Sequence, residues 1–239
     1  MRIARIGPLD ARLAGGPDGN GGGTGPVVVL LHGFGAPADD LVPLGRILAP
    51  SSATRFVFPA APIDLGPLYM GGRAWWPVDF AERARRQALG SKRDITEVPP
   101  GLEQARGAVD GFLDEVLRSV APAPTRLVLG GFSQGAMLAL DTALRRADAL
   151  AGLILLSGTH IASGEWASRL DARRGLPVFM SHGRQDELLP FAVAEGLQGL
   201  LVRHGLPVAW LPFDGGHEIP GRVVEGARDF LGQVLGSPE

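Results

Sequence analysis

Apolar positions follow two alternating patterns along the chain. Short unbroken runs such as Val27–Leu31, Phe56–Phe58, Leu153–Leu156, Val178–Met180 and Val208–Leu211 carry Val, Ile, Leu and Phe. Arg126–Gly130 belongs with them. Runs of this length and type are expected of strands buried on both faces. Between them, apolar side chains recur at helical spacing. Leu41, Leu44 and Leu48 mark a helix in Asp39–Leu48. Leu102, Ala105, Val109, Phe112, Leu113 and Val116 mark a longer one in Gly101–Val120. Met137, Leu140 and Leu144 do so in Gln134–Arg146, and Val193, Leu197, Leu200 and Leu201 define another. A terminal helix carries Val223, Val224, Ala227, Phe230, Leu231 and Val234. Strands alternating with helices predict one α/β domain over residues 1–239. Its central sheet is mostly parallel, with helices on both faces. In such sheets working residues collect at the carboxyl ends of the strands.

Two stretches break the rhythm. Gly15–Gly25 reads as a flexible turn joining two short antiparallel strands near the N-terminus. No Gly-Lys-Ser/Thr ends it and no helix follows, so it is not read as a phosphate loop. Ala60–Pro100 holds Tyr69, Met70, Trp75, Trp76 and Phe80, then a charged run and Pro99-Pro100. A long aperiodic segment inside a compact domain reads as a lid or substrate-binding insertion.

Composition narrows the classes. The 239 residues are 45% hydrophobic and 20% charged, with a formal net charge of −2, as expected of a soluble globular protein. There is no basic stripe, which argues against a nucleic-acid partner. The Arg83–Arg86 cluster and Lys92-Arg93 read as a solvated face. The absence of cysteine rules out disulfides and a thiolate nucleophile, and fits a reducing, cytoplasmic setting. Met1–Pro8 has no apolar core of signal-peptide length, and no stretch approaches about 18 uninterrupted apolar residues, so no membrane insertion is expected. Five histidines show no metal-ligand spacing such as His-Glu-x-x-His, so neither metal nor cofactor is expected.

The chemistry points to Ser133. It lies in Gly131-Phe132-Ser133-Gln134-Gly135, where a strand-like run meets a helix-like run without a loop. That junction forces a strained turn and throws the serine side chain outward. Glycines at 131 and 135 remove Cβ atoms where strand and helix pass closest. A serine hydroxyl needs a base, and the base needs a carboxylate, each expected just after a later strand in the order Ser, acid, His. His217 follows Val208–Leu211 in a glycine-flanked loop and is preferred over His182. His204 reads as a helix-end charge partner, His160 as a surface or pocket-rim residue, and His32 as an anchor of its own loop. Asp186 follows Val178–Met180 and is preferred over Glu187 and Asp214. The backbone N–H groups of Gln134 and of Phe34, after Val27–Leu31, are the candidate oxyanion donors. Trp75, Trp76 and Met70 are candidates for the acyl or alcohol pocket.

Leu31-His32-Gly33-Phe34-Gly35, Gly131-Phe132-Ser133-Gln134-Gly135-Ala136-Met137, Ser181-His182-Gly183-Arg184-Gln185-Asp186 and Gly215-Gly216-His217 resemble the phospholipase/carboxylesterase family of α/β-hydrolases. That group includes bacterial esterases and acyl-protein thioesterases. The resemblance implies an α/β-hydrolase fold and hydrolysis of carboxylic esters or thioesters without a cofactor. It also implies a Ser133–Asp186–His217 triad with Phe34 and Gln134 as oxyanion donors. Gly71-Gly72-Arg73-Ala74-Trp75-Trp76-Pro77 resembles bacterial esterases more than protein-depalmitoylating enzymes. The expected partner is a small ester or thioester, and an apolar edge strand or the Trp loop offers a homodimer surface. Lysophospholipase or acyl-protein thioesterase activity is the alternative, and a non-catalytic binding protein on the same fold is the rival from another class.

Overall fold

The computed structural model describes residues 1–89, 94–120 and 126–236. Lys92 and Arg93 lie outside the described residues, as do the side chains of Arg83 and Arg86. Along the chain run β1 (Arg2–Ile6), β2 (Leu9–Gly15), β3 (Val27–Leu31), α1 (Val42–Leu48) and β4 (Arg55–Pro59). A two-stranded hairpin of β5 (Ile63–Asp64) and β6 (Arg73–Ala74) follows, then α2 (Phe80–Ala88) and α3 (Leu102–Ser119). The remainder alternates: β7 (Leu127–Phe132), α4 (Gln134–Arg145), β8 (Gly152–Leu156), α5 (Ser163–Leu170), β9 (Val178–Gly183), α6 (Phe191–Arg203), β10 (Val208–Phe213) and α7 (Gly221–Leu235).

Among the described residues the main sheet has the order β1-β2-β4-β3-β7-β8-β9-β10. Pairing is antiparallel for β1–β2 and β2–β4, and parallel from β4 to β10. The unbroken apolar runs follow from this placement. In β3, Val27, Val29 and Leu31 enter the core shared with α3, α4 and α6. Val28 and Leu30 enter the opposite core with α1 and α7. A strand covered on both faces has no solvent side for a polar residue.

The Gly-rich stretch departs from expectation. β1 and β2 are joined upstream at Gly7-Pro8, with Ile6 opposite Leu9 and Gly7 at φ +52°. Gly15–Gly25 instead leads from β2 to β3, which are separated in the sheet by β4. A two-residue turn with one positive φ suffices for the hairpin, so the longer glycine run serves the crossing.

Residues 60–100 are also more ordered than an aperiodic lid. Residues 35 and 36 pair with Arg73 (Gly35 N to Arg73 O, 2.9 Å; Arg73 N to Ala36 O, 3.0 Å). The segment's far end lies beside the start of α5, where Ala162 N donates to Glu97 O and Ser163 N to Ile95 O. Two helices escaped the periodicity argument. In α2 the apolar positions after Phe80 are alanines, and α5 is anchored by Trp166 and Leu170 alone.

The junction of β7 and α4 positions the site. Ser133 has φ 55° and ψ −116°, a region costing of order 1–3 kcal/mol for a residue with a Cβ. A Cβ on Gly135 would run into the carbonyl groups of Leu31 and His32. Gly135→Ala is therefore expected to destabilise the protein by about 2 kcal/mol or more, through forced separation of β3 and α4. Urea unfolding checks this, and an unchanged midpoint would show that the approach is not tight.

Candidate active site

Ser133, His217 and Asp186 come from the ends of β7, β10 and β9. Ser133 is half-buried and faces a cavity of about 150 Å³ that His217 also lines. The Ser133 backbone N–H donates to Leu156 O at 2.8 Å, fixing the turn to β8. His217 is held from several sides. Its Nδ1 lies 2.7 Å from Asp186 Oδ2. Its ring is 4.8 Å from that of Phe132, the residue before Ser133. Ser157, at the end of β8, donates its hydroxyl to Glu218 O at 3.4 Å and so ties down the loop beside it.

The Asp186 carboxylate is buried and saturated. Oδ1 accepts from the N–H groups of Leu188 (2.9 Å) and Leu189 (2.8 Å). Oδ2 faces His217 Nδ1 and, at 3.2 Å, His182 Nε2. Burial alone would push this carboxyl up. Hydrogen bonds from His182, His217 and Leu189 outweigh it and hold the group well below the usual carboxylate range. An ionised carboxylate only accepts, so Nδ1 of His217 carries the hydrogen and Nε2 is the bare nitrogen.

The loop after β3 passes against the serine. A Cβ added to Gly33 would lie 3.4 Å from Ser133 Cβ. The backbone N–H groups of Phe34 and Gln134 have no acceptor among the described residues, and both residues line the cavity. His32 anchors this loop from below. Its Nε2 accepts from Ala61 N at 3.1 Å, so Nδ1 carries the hydrogen and donates to Gly33 O at 2.8 Å. Burial lowers the His32 pKa to about 4 and keeps the ring neutral.

The two tryptophans divide. Trp76 lines the cavity. Trp75, in the same bend just after β6, points the other way. It is buried behind the loop, donating Nε1–H to His32 O at 2.9 Å with its ring 5.5 Å from that of His32. Met70 does not reach the cavity. It sits beyond β5 in the left-handed region (φ 49°), with 91% of its surface exposed. The remaining wall is Val78, Phe80, Phe132, Met137, Leu188 and Leu189, with Asp40 at one side. Phe80 lay within the aromatic-rich stretch, but nothing local distinguished it from Met70.

Sequence reasoning valued Gln134 for its backbone and missed its side chain. The buried amide accepts from Trp75 N (2.9 Å) and donates to Trp76 O (2.8 Å), fastening the tryptophan segment to the serine turn. His160 is not at the surface. It is 6% exposed and stacked on Trp166 at 5.5 Å, with Nε2 unpartnered among the described residues. Burial lowers its pKa to about 4. The helix α5 that covers it was invisible to periodicity. His204 pairs with Asp171 at 2.9 Å. Asp214 is exposed beside Arg184, and Glu187 is exposed. Among the described residues no group of three or more His, Asp or Glu side chains is arranged to hold a metal ion. No helix there is long and apolar enough to cross a membrane.

Comparison with known proteins agrees with this architecture. The phospholipase/carboxylesterase family pattern matches residues 22–235. Acyl-protein thioesterase 1 of Gibberella zeae is 34% identical over 220 residues, covering 87% of this chain and 90% of that protein. The Eremothecium gossypii protein of the same name is 30% identical over 215 residues, covering 85% of each. The crystal structure of esterase PE8 superposes with a TM-score of 0.79 at 29% identity, covering 95% of this chain and 99% of that one.

The buried histidines give a pH dependence whose sign is fixed. Below pH 6.5 the unfolded chain binds protons that folded His32 and His160 refuse until about pH 4. Stability is therefore fully present above 6.5 and lost as pH falls toward 4, by up to about 3 kcal/mol for each ring. Urea midpoints measured from pH 7 to 4.5 are expected to fall, and His160→Leu is expected to remove about half of the slope. A slope unaltered by that substitution would contradict the assignment.

Proposed function

This chain belongs to the phospholipase/carboxylesterase family of α/β-hydrolases, enzymes that hydrolyse esters and thioesters, and from that premise we propose a serine esterase working through an acyl-enzyme on small to medium acyl groups. The observation that carries the reading is Asp186 hydrogen-bonded to His217, which lines one cavity with Ser133.

In the proposed cycle His217 Nε2 takes the Ser133 hydroxyl proton as Oγ attacks the carbonyl carbon. Asp186 holds the imidazole in the required tautomer and balances its charge. The N–H groups of Phe34 and Gln134 receive the oxyanion. Collapse expels the alcohol or thiol, which takes the proton back from His217. Water then enters, loses a proton to His217 and attacks the acyl carbon. Collapse breaks the bond to Ser133 Oγ, which takes that proton from His217 as the carboxylic acid leaves. The Gln134 side chain keeps the tryptophan segment seated while this occurs.

The cavity supports a short acyl preference. At about 150 Å³ it is smaller than the roughly 300–1,000 Å³ of sites that enclose drug-sized ligands. Phe80 and Leu188 line it and are also exposed, so a longer chain would leave the cavity across them. Asp40 lines the wall without any Lys or Arg among the described residues, which disfavours substrates ending in carboxylate or phosphate. Residues 60–89 act in this reading as a wall of the site.

A graded series of p-nitrophenyl esters and acyl thioesters, with wild type beside Ser133→Ala, tests the proposal. Acetate and butyrate are expected to exceed palmitate in kcat/KM. Ser133→Ala and Asp186→Asn are expected to lower kcat by about 10⁴-fold. Turnover that survives Ser133→Ala, or failure of a fluorophosphonate to label Ser133, would sink it. Asp40→Asn is expected to narrow the gap between neutral and anionic esters of equal length.

A further inference from the structure

We propose that His182 is a positioning residue of the same site: it grips the second oxygen of the Asp186 carboxylate and so sets how that carboxylate orients and charges His217. The inference rests on the reading of Ser133, His217 and Asp186 given above. Nothing in the serine–acid–base scheme requires a second histidine.

His182 is the fifth residue of β9, its side chain completely buried. Nε2 lies 2.8 Å from Leu189 O and 3.2 Å from Asp186 Oδ2. Both neighbours are acceptors, so Nε2 must carry a hydrogen; Leu189 O is its main acceptor and Asp186 Oδ2 the weaker second one. Nδ1 is buried with no partner among the described residues. A bare lone pair is tolerable there, whereas an N–H would be an orphaned donor. The surroundings thus select the neutral Nε2–H tautomer. Asp186 Oδ2 lies between two imidazoles, one presenting Nε2–H and the other Nδ1–H.

The contacts close a ring. Leu189 N donates to Asp186 Oδ1 while Leu189 O accepts from His182. Leu188 and Leu189 also line the cavity, so the ring couples a wall of the site to the carboxylate. Four donors then fix the carboxylate's rotation. The His182 hydrogen bond also draws negative charge away from the oxygen that faces His217, moderating its preference for the protonated imidazole. Other ionisable groups nearby are engaged elsewhere or stand apart. Arg184 lies against Asp214 and the Phe191 ring. Glu218 Oε1 accepts from Gly216 N. Glu187 is exposed, and Asp40 stands on the cavity wall. Among the described residues, His182 and His217 are the side chains hydrogen-bonded to Asp186.

The test compares His182→Leu, which removes the donor, with His182→Gln, whose amide N–H reaches near the position of Nε2. His182→Leu is expected to lower kcat about tenfold with little change in KM, the scale of one lost hydrogen bond to a charged group. The acid limb of its kcat/KM profile is expected to move up by roughly half a pH unit or more, because the carboxylate's charge concentrates on His217. His182→Gln is expected to restore most of both effects; a purely space-filling role would move neither the limb nor its rescue. Fluorophosphonate labelling of Ser133 in wild type separates the two levels of argument. Normal labelling with an unshifted profile in His182→Leu overturns the role of His182 and leaves the esterase reading standing. Absent labelling overturns the reading itself. If His182→Leu does not fold, imidazole ¹⁵N spectra of the wild-type protein decide. An Nε2–H tautomer at His182 supports the proposal, and an Nδ1–H tautomer ends it.

Discussion

The turn at Ser133 requires the backbone of one residue to sit at φ 55° and ψ −116°, and much of the molecule is arranged to hold it there. On one side the Ser133 N–H is tied to β8. On the other, every residue of α4 from Gln134 to Leu144 is buried. A helix covered on all sides cannot unwind its first turn without exposing apolar surface, so the local strain is offset by packing at a distance. Glycine at 131 and 135 lets β3, β7 and α4 approach closely enough for that packing to form.

From this turn the site is assembled by side chains that do no chemistry in the proposed cycle. The Gln134 amide joins the serine turn to the Trp75-Trp76 backbone. His32 joins the loop after β3 to Ala61, and Trp75 closes the circuit onto the His32 carbonyl. A segment without helical or strand period is thereby fixed through its backbone hydrogen bonds, where polar groups buried without partners would be costly.

Buried polarity of a second kind lies under α5. Asp141 is fully buried, with Arg106 at 2.9 Å, Arg145 at 3.4 Å and Trp166 Nε1 donating at 2.8 Å. Removing any one partner would leave charge or hydrogen-bonding capacity unmet in a dry environment. The carboxylates of Asp141 and Asp186 are each surrounded by donors, but only Asp186 has a partner at the cavity. That difference in location, more than any difference in residue type, separates a structural acid from a candidate working one.

The linear chain fixed the alternation of elements, the burial of both sheet faces and the strained serine junction, because these depend on spacing within a few residues. It also ordered Ser133, Asp186 and His217, since each follows a strand whose carboxyl end lies on one edge of the sheet. It did not separate Trp75 from Trp76, or Met70 from Phe80. Those choices turn on which way side chains point in the bend after β6 and on a hairpin whose strands are two residues long. His160 was misread for the same reason, as local context cannot reveal a covering helix, and it could not show that the Asp186 carboxylate folds back to His182 four residues earlier. Periodicity reports which face of an element meets the core; what stands opposite that face, and at what distance, exists only once the sheet has closed around it.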